Sequence, residues 1–199
     1  MRRGLVACAG AWLPLFLVCT GATVTDADTN RIDHAAIGAA VRVSSTHLGL
    51  PGESGPEALV DGDLRTRWSS KYRSGQTVTL RLGATNLVDA VDLCWENAAA
   101  RKYRLLTSED GERWEVTHFY LNTAAPPERR VDRIPLNRTP VTALRLEMLQ
   151  RVDPTWGFSL YEIAVFTPDK PAPPRKLPAP RETTQKKPRK QRKRLKGHR

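Results

Sequence analysis

Cysteine is nearly absent from this 199-residue chain, which holds three. Cys8 and Cys19 fall in or beside an apolar stretch close to the first residue, and Cys94 stands alone in the remainder of the chain. Once that stretch is removed an intramolecular disulfide is excluded, so a domain of roughly 130 residues must be held by its own core, which chains of that size can build. Cys94 lies between Leu93 and Trp95 in a strand-like run with no His or Lys beside it, and it reads as a small buried hydrophobe rather than a reactive thiol.

Histidine is equally sparse. His34, His47, His118 and His198 are scattered, no two are spaced as metal ligands, and no Gly-x-Ser-x-Gly context occurs. Zinc and nucleophilic chemistry have nothing to build on. The carboxylates Glu109, Asp110 and Glu112 crowd one hairpin turn, where exposed charge is the ordinary outcome. The chain is therefore read as a non-enzyme.

Also missing is an apolar run long enough for a bilayer. Residues 5–18 are apolar, about fourteen against the roughly twenty that a spanning helix needs. Preceded by Arg2 and Arg3, they have the charged and apolar regions of a secretory signal, and Thr20 and Ala22 allow cleavage after Ala22. Residues 1–22 are assigned as a signal peptide, which predicts a secreted, periplasmic or cell-envelope protein with no transmembrane segment in the mature chain. Cys19 opens a lipoprotein alternative, disfavoured because Phe16, Leu17 and Val18 are larger than the residues such signals carry before their cysteine.

What is present is alternation. Residues 23–39 are polar and Ala-rich without a sustained period and read as a linker. From residue 40 apolar residues recur at period two: Val41 and Val43; Val78, Leu80 and Leu82; Val91, Leu93 and Trp95; Tyr103 and Leu105; Trp114 and Val116; Leu144, Leu146 and Met148; Ile163 and Val165. Turn residues such as Asp110-Gly111 separate the runs, which predicts about eight antiparallel strands forming an all-β sandwich over 40–167. The pattern alone does not separate a jelly roll from an immunoglobulin-like sandwich. No internal repeat or long helical pattern is visible.

Residues 168–199 change character and are rich in Pro, Lys and Arg. Thirteen of the 32 basic residues lie from Lys170 onward, against two acids from Asp169 onward, an excess equal to the net charge of +11 of the whole chain. Such a segment cannot bury a core and is predicted to be a disordered tail whose partner is an anionic polymer or membrane surface.

The stretch 58–70 carries the most chemistry. Asp61, Asp63 and Thr66 lie around Gly62, and Trp68 comes next as an apolar anchor. A hard cation such as Ca²⁺ takes six to eight oxygen ligands, and a glycine-centred turn lets carboxylate, hydroxyl and main-chain oxygens converge. A surface Asp-Gly-Asp turn without a metal has the same spacing, so the alternative stays open. Near the other end stands Trp156-Gly157-Phe158-Ser159-Leu160-Tyr161-Glu162-Ile163. These two stretches, with Trp95-Glu96-Asn97-Ala98, Lys102-Tyr103, the turn at 108–111 before Trp114, and Leu144-Arg145-Leu146, resemble the discoidin domain, the coagulation factor V/VIII C-type domain. Within that group the chain is most similar to bacterial carbohydrate-binding modules of galactose-binding-like fold. It departs from them at Gln76-Thr77-Val78, where they commonly carry Gln-Trp.

The resemblance covers about residues 41–166 and implies a jelly roll that binds carbohydrate at the loops of one end. It further implies a structural Ca²⁺ held by the carbonyls of Ala58 and Asp63, the Asp61 carboxylate, Thr66, and Glu162 from the last strand. Carried over by position, it places Arg67 and Tyr72 beside the metal loop, Glu96 after the central strand, Trp156 in the last loop and Glu53 in the early loop as ligand-binding residues. An aromatic platform with polar groups at its rim suits a sugar, whose C–H face is apolar and whose edge is polar. Arg67, Tyr72, Glu96 and Trp156 each have a plain alternative: an ion-pair partner for Arg67, loop packing for Tyr72, a solvated strand end for Glu96, a core edge for Trp156. The rival function is a structural or interaction protein whose sandwich meets a protein or phospholipid while the tail anchors it to the envelope.

Overall fold

Alternation along two unusually long strands generates the architecture. The computed structural model describes residues 30–123 and 129–173. Its strands are β1 (Ala40–Val43), β2 (Glu53–Ser54), β3 (Arg67–Ser69), β4 (Gln76–Trp95), β5 (Ala100–Ser108), β6 (Glu115–Leu121), β7 (Arg130–Arg151) and β8 (Ser159–Phe166), with one 3-10 turn at Pro56–Leu59. The hydrogen-bonded order is β2-β3-β8-β4-β7-β5-β6, and β1 also pairs with β4. The pairing of β4 with β7 changes register between Arg81 and Asn86 and again between Val88 and Ala90. Bulges of this kind bend a strand and raise its twist.

Each long strand thereby serves two layers. The first part of β4, with the last part of β7, belongs to a front sheet completed by β1, β5 and β6. The remainder of each runs into a back sheet with β8, β3 and β2. Positive φ at Gly83, Asn137 and Arg138 marks the corners. The result is the expected all-β sandwich.

Between the layers lie Trp68, Trp95, Tyr103, Phe158, Leu80, Leu93, Leu105, Ile134, Leu144 and Leu146, all buried. Period two is obeyed on β4, where Val78, Leu80, Val91 and Leu93 face inward and Thr77, Thr79 and Arg81 do not. Thr77 replaces the family's Trp at an outward position, so the core loses nothing by the substitution. Polar atoms that enter the core are matched: Trp95 Nε1 and the Tyr103 hydroxyl both donate to Asp132 Oδ2, each at 2.9 Å.

Two boundaries differ from those expected. The segment assigned as linker is packed over 30–39: Ala36 and His34 are buried, Ile32 N–H donates to the Gly62 carbonyl, and Ala35 N–H donates to that of Val165. Its lack of a period is explained by its structure, an irregular strap that makes contacts one residue at a time. At the other end, 168–173 belong to the fold rather than to a disordered tail. Lys170 bonds back to Thr167 through the backbone and reaches Asp33 at 2.7 Å, while Ala172 and Ile32 cover Ala90, Ala164 and Phe166. The segment 1–22 read as a signal peptide, with Cys8 and Cys19, and the expected tail from 174 onward lie outside the described residues. No helix among the described residues is long and apolar enough to cross a membrane.

Cys94 is buried on β4, and burial, then the charges of Asp92 and Glu162, push its thiol up to about 12. The thiolate is the reactive form. Iodoacetamide at pH 8 is expected to leave Cys94 unmodified in the native protein and to label it fully in denaturant, as read by peptide mass spectrometry; rapid native labelling would show that the outer face of β4 is open.

Candidate functional site

Parallel pairing of the short strands β2 and β3 sets Glu53 beside Arg67, and antiparallel pairing of β3 with β8 sets Trp68 against Leu160 and Ser69 against Ser159. Around that seam the chain knits loops from both ends. Ser70 N–H donates to the Phe158 carbonyl, Phe158 N–H to Ser70 Oγ, Glu96 N–H to the Ser159 carbonyl, and Ser159 N–H to that of Ala98. Gly157 is required at the crossing, because a Cβ there would stand 2.4 Å from the Ser70 carbonyl oxygen.

The seam floors a cavity of about 280 Å³ whose lining includes Glu53, Arg67, Tyr72, Glu96 and Trp156. All the residues expected to bind ligand are thus brought together. Tyr72 and Trp156 are 54% and 44% exposed, so neither ring belongs to the core. The Trp156 loop is held from behind by Arg151, whose Nη1 donates to the carbonyls of Pro154 and Trp156 at 2.6 and 2.9 Å. Arg67 Nη1 donates to the Pro51 carbonyl and makes no ion pair among the described residues. Glu96 Oε2 accepts the Ala98 N–H at 2.9 Å, and its second oxygen has no partner among the described residues. The product is an open hollow with two aromatic planes, two carboxylates and one guanidinium.

His47 is the residue that sequence reasoning missed. Its Nδ1 lies 2.9 Å from Glu53 Oε2, its Nε2 lies 3.2 Å from the Tyr72 hydroxyl, and its ring stacks on Tyr72 with centroids 4.9 Å apart. Because the Glu53 carboxylate accepts, Nδ1 carries a proton, and Nε2 is left facing the Tyr72 hydroxyl. The imidazole therefore braces two cavity residues at once. A lone His in a polar run gives no periodic signal, so only its position across from Glu53 and Tyr72 reveals it.

Glu53 is held strongly. Its Oε2 also accepts the Gly49 and Leu50 N–H groups, each at 2.9 Å. Burial opposes ionisation, but the bonds from Leu50, Ser69, His47 and Gly49 outweigh it and hold the carboxyl below its ordinary value.

The oxygens expected to hold Ca²⁺ are partly gathered. The Thr66 hydroxyl lies 2.7 Å from Asp61 Oδ2 and 3.0 Å from the Asp63 carbonyl. Glu162 Oε2 accepts the Gly62 N–H at 2.7 Å, and the buried Oε1 faces His34 Nε2 at 3.3 Å. The Asp63 carboxylate turns away to Arg65, which holds it down at about 2. Ala58 is buried beside this loop. Among the described residues no three His, Cys, Asp or Glu side chains form a metal-sized group, so only a set completed by main-chain and hydroxyl oxygens fits. Such a set is of the hard-oxygen kind that Ca²⁺ prefers.

The family model for the F5/8 type C domain matches residues 25–163. The chain belongs to this family. Among solved structures, this F5/8 type C domain is similar to chitosan-binding module 2 of a chitosanase/glucanase from Paenibacillus sp. IK-5, determined in complex with chitotriose, at 29% identity and TM-score 0.58 over 66% of this chain and 98% of that one. Chitosan-binding module 1 of the same enzyme matches at 25% identity and TM-score 0.58 over 67% and 98%. A Clostridium perfringens module in complex with GalNAc-β-1,3-galactose shares the fold, at 24% identity and TM-score 0.59 over 68% and 100%. A search of curated proteins gives no match.

Removing the imidazole is expected to raise the Glu53 carboxyl toward the ordinary 4.5, seen as an upward shift of its carboxyl ¹³C titration in His47→Ala. A lowered native pKa stabilises the fold above the unfolded value, and that contribution is lost as pH falls through the native one. The melting advantage of the native protein over Glu53→Gln should therefore be full at pH 6 and shrink on acidification below about 4.5. An advantage independent of pH would remove the charge from the explanation.

Proposed function

We propose that this is an exported, non-catalytic carbohydrate-binding protein whose cavity takes glycans containing amino sugars. The observation that carries the reading is the meeting of two carboxylates, Glu53 and Glu96, with two open rings, Tyr72 and Trp156, in one hollow. Aromatic planes cover the apolar faces of sugar rings, the Tyr72 hydroxyl and Arg67 bond hydroxyls at the rim, and a carboxylate answers the ammonium of a glucosamine unit. Support comes from the 29%-identical module determined with chitotriose. The two Paenibacillus chains similar to this one are described as chitosan-binding modules, and Glu53 Oε2 is held by three hydrogen bonds, which suits the carboxylate to hold charge rather than to move protons.

The same proposal includes a structural Ca²⁺ held by the Asp61 carboxylate, the oxygens of Thr66, the carbonyls of Ala58 and Asp63, and Glu162. When bound, the ion supplies counter-charge and joins the early loop to the last strand. The cationic tail, beyond the described residues, is assigned to anionic surfaces or polymers of the cell envelope.

Calorimetry with chitotriose tests the cavity. Trp156→Ala should weaken binding at least about tenfold, equivalent to about 1.4 kcal/mol, while its stability shifts by no more than about 0.5 kcal/mol, as expected of an exposed ring. The fully N-acetylated trisaccharide should bind more weakly than the amine. Equal affinity for both, or binding confined to galactosides, would remove the amino-sugar assignment and leave the carbohydrate role.

Melting with and without Ca²⁺ tests the ion. At a hundred times Kd mass action adds about 2.7 kcal/mol, which raises the midpoint of a domain this size by about 5–10 °C. Asp61→Ala should abolish the difference, and identical melts in Ca²⁺ and chelator would eliminate the ion.

A further inference from the structure

The outer face of the front sheet is a separate feature that the cavity does not explain. Alternation that turns Val41, Val43, Val78, Leu80, Leu144 and Leu146 inward turns Arg42, Thr79 and Arg145 outward, and the pairing register sets these three side by side across β1, β4 and β7. Arg81 stands two residues further along β4. Two hollows of about 420 and 160 Å³ open here, and Arg42, Thr79 and Arg145 line both. Thr77 lines the larger one, at the position where related domains commonly carry Trp, and its small side chain leaves the hollow open.

Positive charge on this face is uncompensated. Arg42 and Arg81 are exposed, and neither makes an ion pair among the described residues. Gly111, which has no Cβ, gives Arg81 its room: a Cβ there would stand 2.9 Å from Nη1. Arg145 is fixed without an acid, its guanidinium 4.0 Å from the Trp114 ring centroid and its Nε 3.4 Å from Thr79 Oγ1. The nearby acids are occupied. Glu147 is taken by Arg104, and Asp110 accepts from Ser108 and from the backbone of its own turn.

We propose that this face is a second binding site, for a polymer carrying phosphate groups, with Arg42, Arg81 and Arg145 as its cationic contacts. Adjacent strands lie about 4.8 Å apart, so the Arg42 and Arg145 backbones stand about 10 Å apart, with Thr79 between them. Two guanidinium groups at that spacing can share one oxyanion or hold successive ones. The planar guanidinium fork fits phosphate oxygens in pairs. Every phosphate along such a polymer keeps a full negative charge at neutral pH, so a run of them answers a cluster of cations. The sugar cavity cannot serve this ligand, because Glu53 and Glu96 repel it there. The site goes beyond the carbohydrate reading and does not rest on it.

The test uses the full chain and inorganic polyphosphate, monitored by ¹⁵N NMR of the arginine Nε–H groups. Those resonances are the readout because the tail cations bind the same probe and mask total affinity. Arg42, Arg81 and Arg145 should shift and saturate together. In the double variant Arg42→Glu, Arg81→Glu, the apparent Kd read at Arg145 should rise about tenfold or more, the loss of about 1.4 kcal/mol. Both positions are exposed, and an unchanged melt with unchanged chitotriose binding would show an intact fold. Shifts restricted to residues after 173, or an unaltered Arg145 titration in the double variant, would overturn the site. Heparin at matched charge is expected to move these resonances less, and equal response to sulfate and phosphate would overturn the choice of ligand.

Discussion

The short antiparallel seam between β3 and β8 is the constraint on which the rest depends. Only Trp68 with Leu160 and Ser69 with Ser159 are paired, yet that contact joins residues about ninety apart in the chain. Closing so long a loop costs entropy that grows only slowly with length, and burial of Trp68, Phe158 and Leu160 offsets it. With the seam formed, the loop after β3 and the loop before β8 must lie together. The cavity is the surface expression of that closure, and two residues beyond Leu160 the Glu162 carboxylate accepts the Gly62 N–H.

Much of this was legible because strands repeat at period two and the family's motifs sit at turns. Val78-Thr79-Leu80 and Leu144-Arg145-Leu146 announce which residues enter the core, and the cavity residues are found by position in a recognised pattern. The segment 30–39 was not legible, since it packs by single contacts such as those of His34 and Ala36. His47 escaped for a related reason: its partners Glu53 and Tyr72 are near in space through loops, and loops carry no period. The basic face was invisible too. Arg42, Arg81 and Arg145 are far apart in sequence, and only the registers of β1, β4 and β7 put them in one place.

Charge segregation ties these surfaces to different chemistry. The residues before 169 are formally neutral, and the excess of cations lies in the tail. Neutrality of the sum hides a division: carboxylates gather at the cavity, guanidinium groups at the front sheet. Such separated fields steer opposite ligands to opposite places, an effect that net charge alone does not show.

The proposed cation site turns on Glu162. Its side chain is wholly buried beside that of His34, whose Nε2 faces Oε1 at 3.3 Å. His34 Nδ1 accepts the N–H groups of Ala36 and Val165, so a ring proton sits on Nε2 and faces Glu162. Burial is the largest influence and pushes the Glu162 carboxyl up; His34 and the Gly62 N–H pull it down, and the charge of Asp61 adds to the rise. The Glu162 carboxyl is thus disfavoured as a buried anion. A proton on Glu162 is one remedy, and it breaks the match with the Gly62 N–H and Nε2–H donors. The proposed cation would be the other, since it would satisfy the carboxylate and leave those donors in place.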